Sequence, residues 1–395
     1  MISILFLFVC SAFSWANNIE FNSEVSFIDS YKVSERDSLG KRIVLMPEVK
    51  IENESQSYDF KGSFLYWHNF TESDGRQYEV IPTNVLRIHS LYVSKYLNNW
   101  VFRLGWEVLE NGETMGAHRP NYLNPVSFEN YAFDAEKIRE VAQPAAHIKY
   151  IFNDSAVEYF YVIKNEKIPL PLFIANGTVA DGEPDRVAFR DTEQSVRLRT
   201  YFSEIGLEST FLYSQHFSRV PVYTLQSNPE GKDVYKVFSK KMESASISIN
   251  KAWEQWVLRA DVTYHKDMPF MRFSSSDYII KDLYDGAAGL EYSYGEKRSL
   301  ITQLHYVNNN EPESPLYYGS IWLKESFWRD KFDVSLGYYS GLGNGDSHLV
   351  TNLNYDVGEQ WSLGVGFMQF HSRSGGFFQL LEGEDQIQLT LKFLN

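Results

Sequence analysis

The sequence predicts an all-β protein: a single transmembrane antiparallel up-and-down β-barrel with about eighteen strands, or about sixteen as the alternative. Three observations support this fold class. Apolar and polar residues alternate along most of the 395-residue chain, which is the period of a strand with two different faces. Short and long links between these segments interleave, and tryptophans gather beside the short links.

The alternation is clearest around residue 100. Trp100, Phe102, Leu104 and Trp106 share one face of a segment whose other face carries Arg103. Because successive side chains of a strand point to opposite sides, this segment has one apolar and one polar face.

The links between segments alternate in length, eight short ones with nine long ones. Tight turns on one side and longer loops on the other are typical of transmembrane barrels. Closure has a physical reason, since in lipid every backbone N–H and C=O must be paired and a sheet must have no free edge.

Tryptophan positions give an independent indication. Tryptophan favours the boundary between membrane and water, and the short turns of transmembrane barrels lie on the periplasmic side. Tryptophans beside the short links therefore predict a periplasmic girdle. A soluble β-sandwich or propeller is the alternative, although the chain lacks the repeat of about 40 residues typical of propellers. The predicted girdle residues are Trp100, Trp253, Trp256, Trp328 and Trp361.

Composition excludes several classes of protein. Aromatic residues form 16% of the chain, too many for a disordered protein, and one cysteine cannot build a disulfide framework. After the N-terminus no uncharged apolar run approaches the roughly 20 residues of a membrane-spanning helix. The formal net charge of −14 opposes nucleic-acid binding.

The N-terminus predicts a secretory signal peptide over residues 1–16, followed by the barrel over 17–395. An apolar core precedes Ser14 and Ala16, which supply the small residues of a cleavage site. Cleavage there would remove Cys10, the sole cysteine, as suits an oxidising envelope compartment. The expected location is the Gram-negative outer membrane, with membrane lipid, lipopolysaccharide and the barrel-assembly machinery as partners.

A barrel of this size is wide enough for a water-filled lumen, and alternation assigns a set of charged side chains to it. Most of the set is basic and lies on neighbouring strands, which predicts a basic wall. Two alternatives stay open: these charges only solvate the lumen and pair with one another, or a bulge turns part of a strand to the other face. The predicted pore-lining residues are Arg87, Lys95, Arg103, Glu107, Lys149, Glu158, Arg197, Arg199, Arg259 and Asp261.

The third long connection, 109–144, is the candidate constriction loop. Folded into the barrel, its carboxylates would oppose the basic wall, and the resulting field would filter solutes. Its charged residues are Glu110, Glu113, Arg119, Glu129, Asp134, Glu136 and Arg139.

A short stretch carries a family resemblance. The segment 103–107 (RLGWE) is followed by Asn124-Pro125 and by a strand from Pro144 to Tyr150. This arrangement resembles large Gram-negative outer-membrane channels related to the alginate-export and porin-like families. The last segment, 386–395, is similar to the final strand of Gram-negative outer-membrane proteins, which the assembly machinery reads. The resemblance implies a channel and leaves the substrate open.

The predicted function is a porin-like channel for passive diffusion of small hydrophilic solutes, anionic or zwitterionic, such as sugar acids, organic acids or acidic oligosaccharides. The alternative is a non-transport barrel, a surface receptor, adhesin or structural protein with a blocked lumen. A homotrimer is compatible with the barrel's size. No enzyme, cofactor or metal is expected. His216 lies near Ser214 and Ser218, but proximity in sequence does not make the hydrogen-bonded pair that a hydrolase needs.

Overall fold

The computed structural model describes a large part of the chain, and the following account is restricted to that part. The described residues are 18–32, 37–53, 57–69, 84–109, 123–124, 141–163, 178–179, 192–218, 222–227, 233–238, 240–271, 278–308, 316–342, 345–372 and 385–394. The predicted signal peptide, residues 1–16, lies outside these ranges.

Twenty-one strands follow one another along the described part of the chain. The first ten are β1 (Asn18–Lys32), β2 (Asp37–Asn53), β3 (Tyr58–Asn69), β4 (Asn84–Leu97), β5 (Trp100–Glu107), β6 (Gln143–Phe152), β7 (Ser155–Val162), β8 (Thr178–Val179), β9 (Glu193–Phe202) and β10 (Leu207–Phe217). The others are β11 (Val222–Ser227), β12 (Asp233–Phe238), β13 (Lys241–Trp253), β14 (Trp256–Met271), β15 (Tyr278–Gly295), β16 (Arg298–Asn308), β17 (Leu316–Phe327), β18 (Phe332–Gly341), β19 (Ser347–Asp356), β20 (Trp361–His371) and β21 (Gln386–Leu394).

Eighteen of these strands form one closed antiparallel barrel, as predicted. Each pairs with the next barrel strand along the chain, and β1 pairs with β21 to close the ring, with Val25 opposite Phe393. Closure leaves no sheet edge, so the ladder satisfies the backbone hydrogen-bonding groups of every barrel strand. β8, β11 and β12 form a separate three-stranded sheet in the connections from β7 to β9 and from β10 to β13.

The tight turns lie on one side of the barrel. The turns after β4, β6 and β13 have two residues each, and their first residues, Asn98, Asn153 and Glu254, have φ of 51°, 49° and 51°. Asparagine tolerates this left-handed conformation better than most residues, which explains its presence at two of the three turns. One link on the other side, 33–36, is shorter than its sequence suggests, because β1 and β2 extend to Lys32 and from Asp37.

The two faces of the barrel differ sharply. Val262 and Leu304 are on the outer face and are 60% and 62% exposed, whereas the inner face buries hydroxyl-bearing side chains such as Ser63, Ser244 and Thr263. Residues directly opposite on neighbouring strands share a face, so the pairing register carries this assignment around the ring. A water-soluble protein would show the reverse distribution.

The aromatic residues beside the tight turns complete the outer face. The five tryptophans of the predicted girdle are all exposed, and three of them contact an aromatic partner across a strand pair. The ring centroids are 4.6 Å apart for Trp100–Tyr150, 4.6 Å for Trp256–Tyr292 and 4.8 Å for Trp361–Phe393. Within the described ranges, no helix is long and apolar enough to cross a membrane.

Candidate functional site

The inner face of β5 positions Arg103, the first residue of the candidate site. Its guanidinium donates a 2.8 Å hydrogen bond to Glu107 and a 3.3 Å hydrogen bond to Ser94, and it lies 4.4 Å from the ring centroid of Tyr92. Glu107 is four residues further along β5 and therefore on the same face of the strand. The extended Arg103 side chain is long enough to reach its carboxylate. Arg103 is therefore held in one orientation by three neighbours.

A line of charged side chains continues from Glu107 across the next three strands. His147 on β6 lies 3.5 Å from Glu107 and donates a 3.1 Å hydrogen bond to Glu158 on β7. Glu158 also accepts a 2.6 Å hydrogen bond from Arg197 on β9. We call Arg103, Glu107, His147, Glu158 and Arg197 the ionic wall.

The ionic wall is buried as well as paired. From Glu107 to Arg197 its side chains are between 2% and 9% exposed. Removing a charge from water is costly unless an opposite charge and hydrogen bonds replace the solvent. The alternating order of basic and acidic groups supplies both.

Phe160 packs against two members of the ionic wall, His147 and Arg197. Its ring lies 4.3 Å from the ring of His147 and 4.9 Å from the Arg197 guanidinium. Phe160 packs in a buried cluster with Leu123 of the third long connection and with Leu109, Ala145, Val162 and Leu212. Residue 123 therefore reaches the inner face of the barrel.

Asn124 fixes this position of the loop. Its side chain accepts a 2.8 Å hydrogen bond from the backbone N–H of Leu109 and donates a 2.9 Å hydrogen bond to the Leu109 carbonyl. Residues 123 and 124 of the third long connection thus lie against the inner face of the barrel, and the constriction by the rest of the connection stays a prediction. The charged loop residues of the prediction lie outside the described ranges: Glu110, Glu113, Arg119, Glu129, Asp134, Glu136 and Arg139.

The register places nine of the ten predicted pore-lining residues on the inner face. They are Arg87, Arg103, Glu107, Lys149, Glu158, Arg197, Arg199, Arg259 and Asp261. Several basic members have acidic partners that sequence reasoning missed. Arg199 lies 3.3 Å from Glu208, and Arg259 pairs with Glu291. Both partners come from the following strand, and only the register shows that they meet.

The assignment of Lys95 to the lumen was wrong. In the β3–β4 pair Ser90 faces Ser63 but Ile88 faces Phe64, so His89 is an extra residue that bulges the strand. The bulge exchanges the two faces beyond it, and Lys95 lies on the outer face with its ammonium 3.7 Å over the Tyr58 ring.

The same bulge supplies two contacts of the ionic wall. It turns Tyr92 and Ser94 inward, opposite Lys61 and Asp59, where both contact Arg103. The sequence records this change of face in its aliphatic residues, which move from even positions (Leu86, Ile88) to odd ones (Leu91, Val93, Leu97). Tyr92 and Tyr96 continue the even spacing and hide the shift.

A second inner region has a different character. Planar side chains lie across glycines of the neighbouring strand: a Cβ on Gly337 would be 2.6 Å from the Trp322 ring, and one on Gly364 would be 2.8 Å from Asn354 Oδ1. The planar groups therefore lie flush against the backbone. We call Trp322, Gly337, Asn352, Asn354, Gly364 and Gly366 the smooth wall.

Aromatic rings continue the smooth wall toward the loop side. Trp322 meets Tyr339 edge-on at 5.5 Å, Tyr339 stacks on His348 at 5.7 Å, and His348 stacks on Phe370 at 4.3 Å. β18 and β19 lie nine strands from β6 and β7 in the ring of eighteen. The smooth wall and the ionic wall therefore occupy opposite sides of the barrel.

A histidine–serine arrangement occurs between the two walls, with partners other than those considered from sequence. His216 Nδ1 donates to the Phe217 carbonyl at 2.9 Å, and His216 Nε2 lies 2.8 Å from Ser244 Oγ. His265 lies 2.6 Å from Ser244 Oγ. All three side chains are buried, as expected of a structural hydrogen-bond chain. In the described part of the chain, no three or more His, Cys, Asp or Glu side chains form a group that could hold a metal ion.

Comparison with known proteins reveals similarity in structure alone. No family model and no curated protein matches the sequence. OpdK of Pseudomonas aeruginosa, crystallised with vanillate, matches with a TM-score of 0.59 at 9% identity over 96% of this chain and 99% of its own. OccK2 (OpdF) of the same organism, in complex with glucuronate, gives 0.58 at 9% over 96% and 98%. A BenF-like porin from Pseudomonas fluorescens Pf-5 gives 0.58 at 8% over 96% and 99%. The chain thus has the barrel fold of these porins.

Proposed function

We propose that this protein is an outer-membrane channel through which small hydrophilic solutes diffuse passively, with a preference for anionic or zwitterionic solutes. The observation that carries the proposal is the ionic wall, a buried line of alternating charges on the inner face of a closed eighteen-strand barrel. A purely structural barrel does not need such a line. Uncharged polar side chains could fill its inner face, and their burial would cost less free energy of desolvation than that of charged groups.

The outer face supports a position in the outer membrane. Its exposed apolar residues would be unfavourable in water, and the exposed tryptophans at the tight turns suit the membrane–water boundary. Lipid and lipopolysaccharide would then surround the barrel, and residues 1–16 would direct export before assembly. One porin of similar fold, OpdK, is described as an outer-membrane protein.

The charge pattern supports the choice of solute. Arg103 and Arg197 stand at the two ends of the ionic wall, and Glu107 and Glu158 lie between them. A solute with a carboxylate can exchange water for a guanidinium, and an ammonium on the same solute can approach a glutamate. Structures of similar fold hold vanillate and glucuronate, which are both carboxylates.

Single-channel recording of the refolded protein in a planar bilayer under a salt gradient tests the proposal. We expect a stable conductance, a reversal potential on the anion-selective side and a reduced current when a small carboxylate is added. Folded protein without conductance would contradict the proposal and favour a surface receptor or structural barrel with a blocked lumen. Conductance with cation selectivity would contradict the solute preference alone.

A further inference from the structure

We infer that the smooth wall is a second solute-contact surface, which recognises the ring of a cyclic polar solute such as a pyranose sugar or sugar acid. The inference rests on the proposed channel function. It adds a chemical class of ligand and a set of residues that have no charge and no place in the predicted pore lining.

The orientation of Trp322 suits contact with a ring. Its indole lies flat over Gly337, where a Cβ would be within 2.6–2.7 Å of three ring atoms. A ring that lies flush against one strand presents its other face to the barrel interior, and Trp322 is only half-buried. The edge-on contact with Tyr339 holds the indole in this orientation. Flat aromatic faces bind the C–H-bearing face of a ring through dispersion and quadrupole interactions.

Two amides follow the indole on the inner face, both from β19. Asn352 Oδ1 is 3.1 Å from the position of a Cβ on Gly366, and Asn354 Oδ1 is 2.8 Å from that on Gly364. Each amide carries an acceptor oxygen and two donor hydrogens. Paired donors and acceptors beside an aromatic face suit a ring with hydroxyl groups at its edge, and the neighbouring wall residues Ser335 and Gln388 add more of the same chemistry.

The smooth wall and the ionic wall lie at a similar depth in the barrel. Trp322 is five residues from the tight-turn end of its strand, and so are His147 and Arg197 on the opposite side. A solute that crosses the barrel therefore passes both walls at a similar depth. The ionic wall can distinguish acids from neutral solutes, whereas the smooth wall can distinguish rings from open chains.

The experiment compares glucuronate with gluconate, a cyclic and an open-chain acid of similar size and equal charge. The concentration of each that halves the single-channel current is measured from the tight-turn side and from the loop side. For the unmodified protein we expect glucuronate to block at lower concentration than gluconate. In Trp322→Leu we expect the half-blocking concentration of glucuronate to rise about three- to tenfold, which is the range of a lost aromatic contact, while that of gluconate stays unchanged.

Three further variants control for folding and for placement. Trp322→Phe keeps a planar ring and should restore much of the difference between the two acids. Gly337→Ala pushes the indole off the wall and should act like Trp322→Leu. Gly319→Ala is the matched control, because Gly319 is on the outer face of β17 and its added Cβ would have only ordinary contacts at 3.8 Å and beyond.

The outcomes separate this inference from the channel proposal. Folded protein that conducts, but in which Trp322→Leu changes glucuronate and gluconate block equally or not at all, would overturn the smooth wall as a ring-binding surface and leave the channel intact. Folded protein without conductance would overturn both. Loss of the glucuronate preference in Trp322→Leu and Gly337→Ala, with Gly319→Ala unchanged, would establish the inference.

Discussion

The ionic wall and the smooth wall face each other across the same barrel, yet they are built on different principles. The ionic wall uses long charged side chains that bridge neighbouring strands, and its order comes from salt bridges such as Glu158–Arg197 at 2.6 Å. The smooth wall uses planar uncharged side chains that lie over glycines, as Trp322 lies over Gly337. The order of the ionic wall is thus specified by charge and that of the smooth wall by shape.

The contrast between the ionic wall and the smooth wall indicates that a β-barrel can vary its two sides independently. Each contact in either wall lies within one strand or between neighbouring strands, so a change in one wall has no direct path to the other. The loop cluster around Leu123 and Phe160 strengthens the asymmetry, because it packs on the ionic side. Variants of single residues should therefore separate the contributions of the two walls.

Glycine substitutions should separate the walls most strongly. Gly105 in β5 has φ of 147°, and a Cβ there would be 2.1 Å from the Leu91 carbonyl oxygen, a backbone atom that cannot move away without breaking the β4–β5 ladder. We expect Gly105→Ala to destabilise the barrel by more than about 4 kcal/mol. Gly337→Ala displaces only a side chain and should cost about 1–2 kcal/mol. Urea unfolding in lipid vesicles measures both, and equal costs would contradict this distinction.

Removing one buried charge should have the next largest effect. Glu158→Gln leaves the Arg197 and His147 groups without their shared carboxylate, and we expect a loss of about 3 kcal/mol in the free energy of unfolding. Glu208→Gln is the matched control, since the Glu208 and Arg199 side chains are 32% and 41% exposed and an exposed pair contributes at most about 1 kcal/mol. A similar cost for both variants would show that water screens Glu158 as well.

Reversing the charge of Arg103 should change the ion selectivity of the channel. Arg103→Glu places a carboxylate next to Glu107, which lies 2.8 Å from the guanidinium of the unmodified protein. We expect the reversal potential in a salt gradient to move toward cation selectivity and carboxylate block to weaken severalfold. An unchanged reversal potential in a folded, conducting variant would show that ions do not pass close to the ionic wall.

Substitution of Lys95 should have the smallest effect on the channel. It tests the change of face that the bulge at His89 introduces into the alternation. Lys95→Gln should leave conductance and reversal potential unchanged, because the side chain is on the outer face over Tyr58. Lys149→Gln changes an inner-face lysine and should reduce anion selectivity in the same recordings. If Lys95→Gln also shifts the reversal potential, the bulge at His89 is wrongly placed.

The barrel itself could be predicted from the sequence because its cause is local. Each strand must present one face to lipid and one to the lumen, so alternation records both faces, and the links record the direction of each hairpin. Inner-face positions such as Arg103, Glu158 and Arg197 follow directly from this alternation. Lys95 did not follow, because one extra residue at His89 reverses the faces. The aromatic residues Tyr92 and Tyr96 continue the earlier spacing and hide the shift of the aliphatic residues.

The sequence by itself determined the fold class, the tight-turn side and most of the residues that point inward, since all of these depend on neighbours in the chain. The tertiary structure decided which charges meet, as in Arg199 with Glu208, and which glycine lies beneath Trp322. These pairings depend on the register between strands, in which a shift of one residue changes every partner. Register is a property of the closed sheet as a whole, and for that reason the ionic wall and the smooth wall became visible only in the folded barrel.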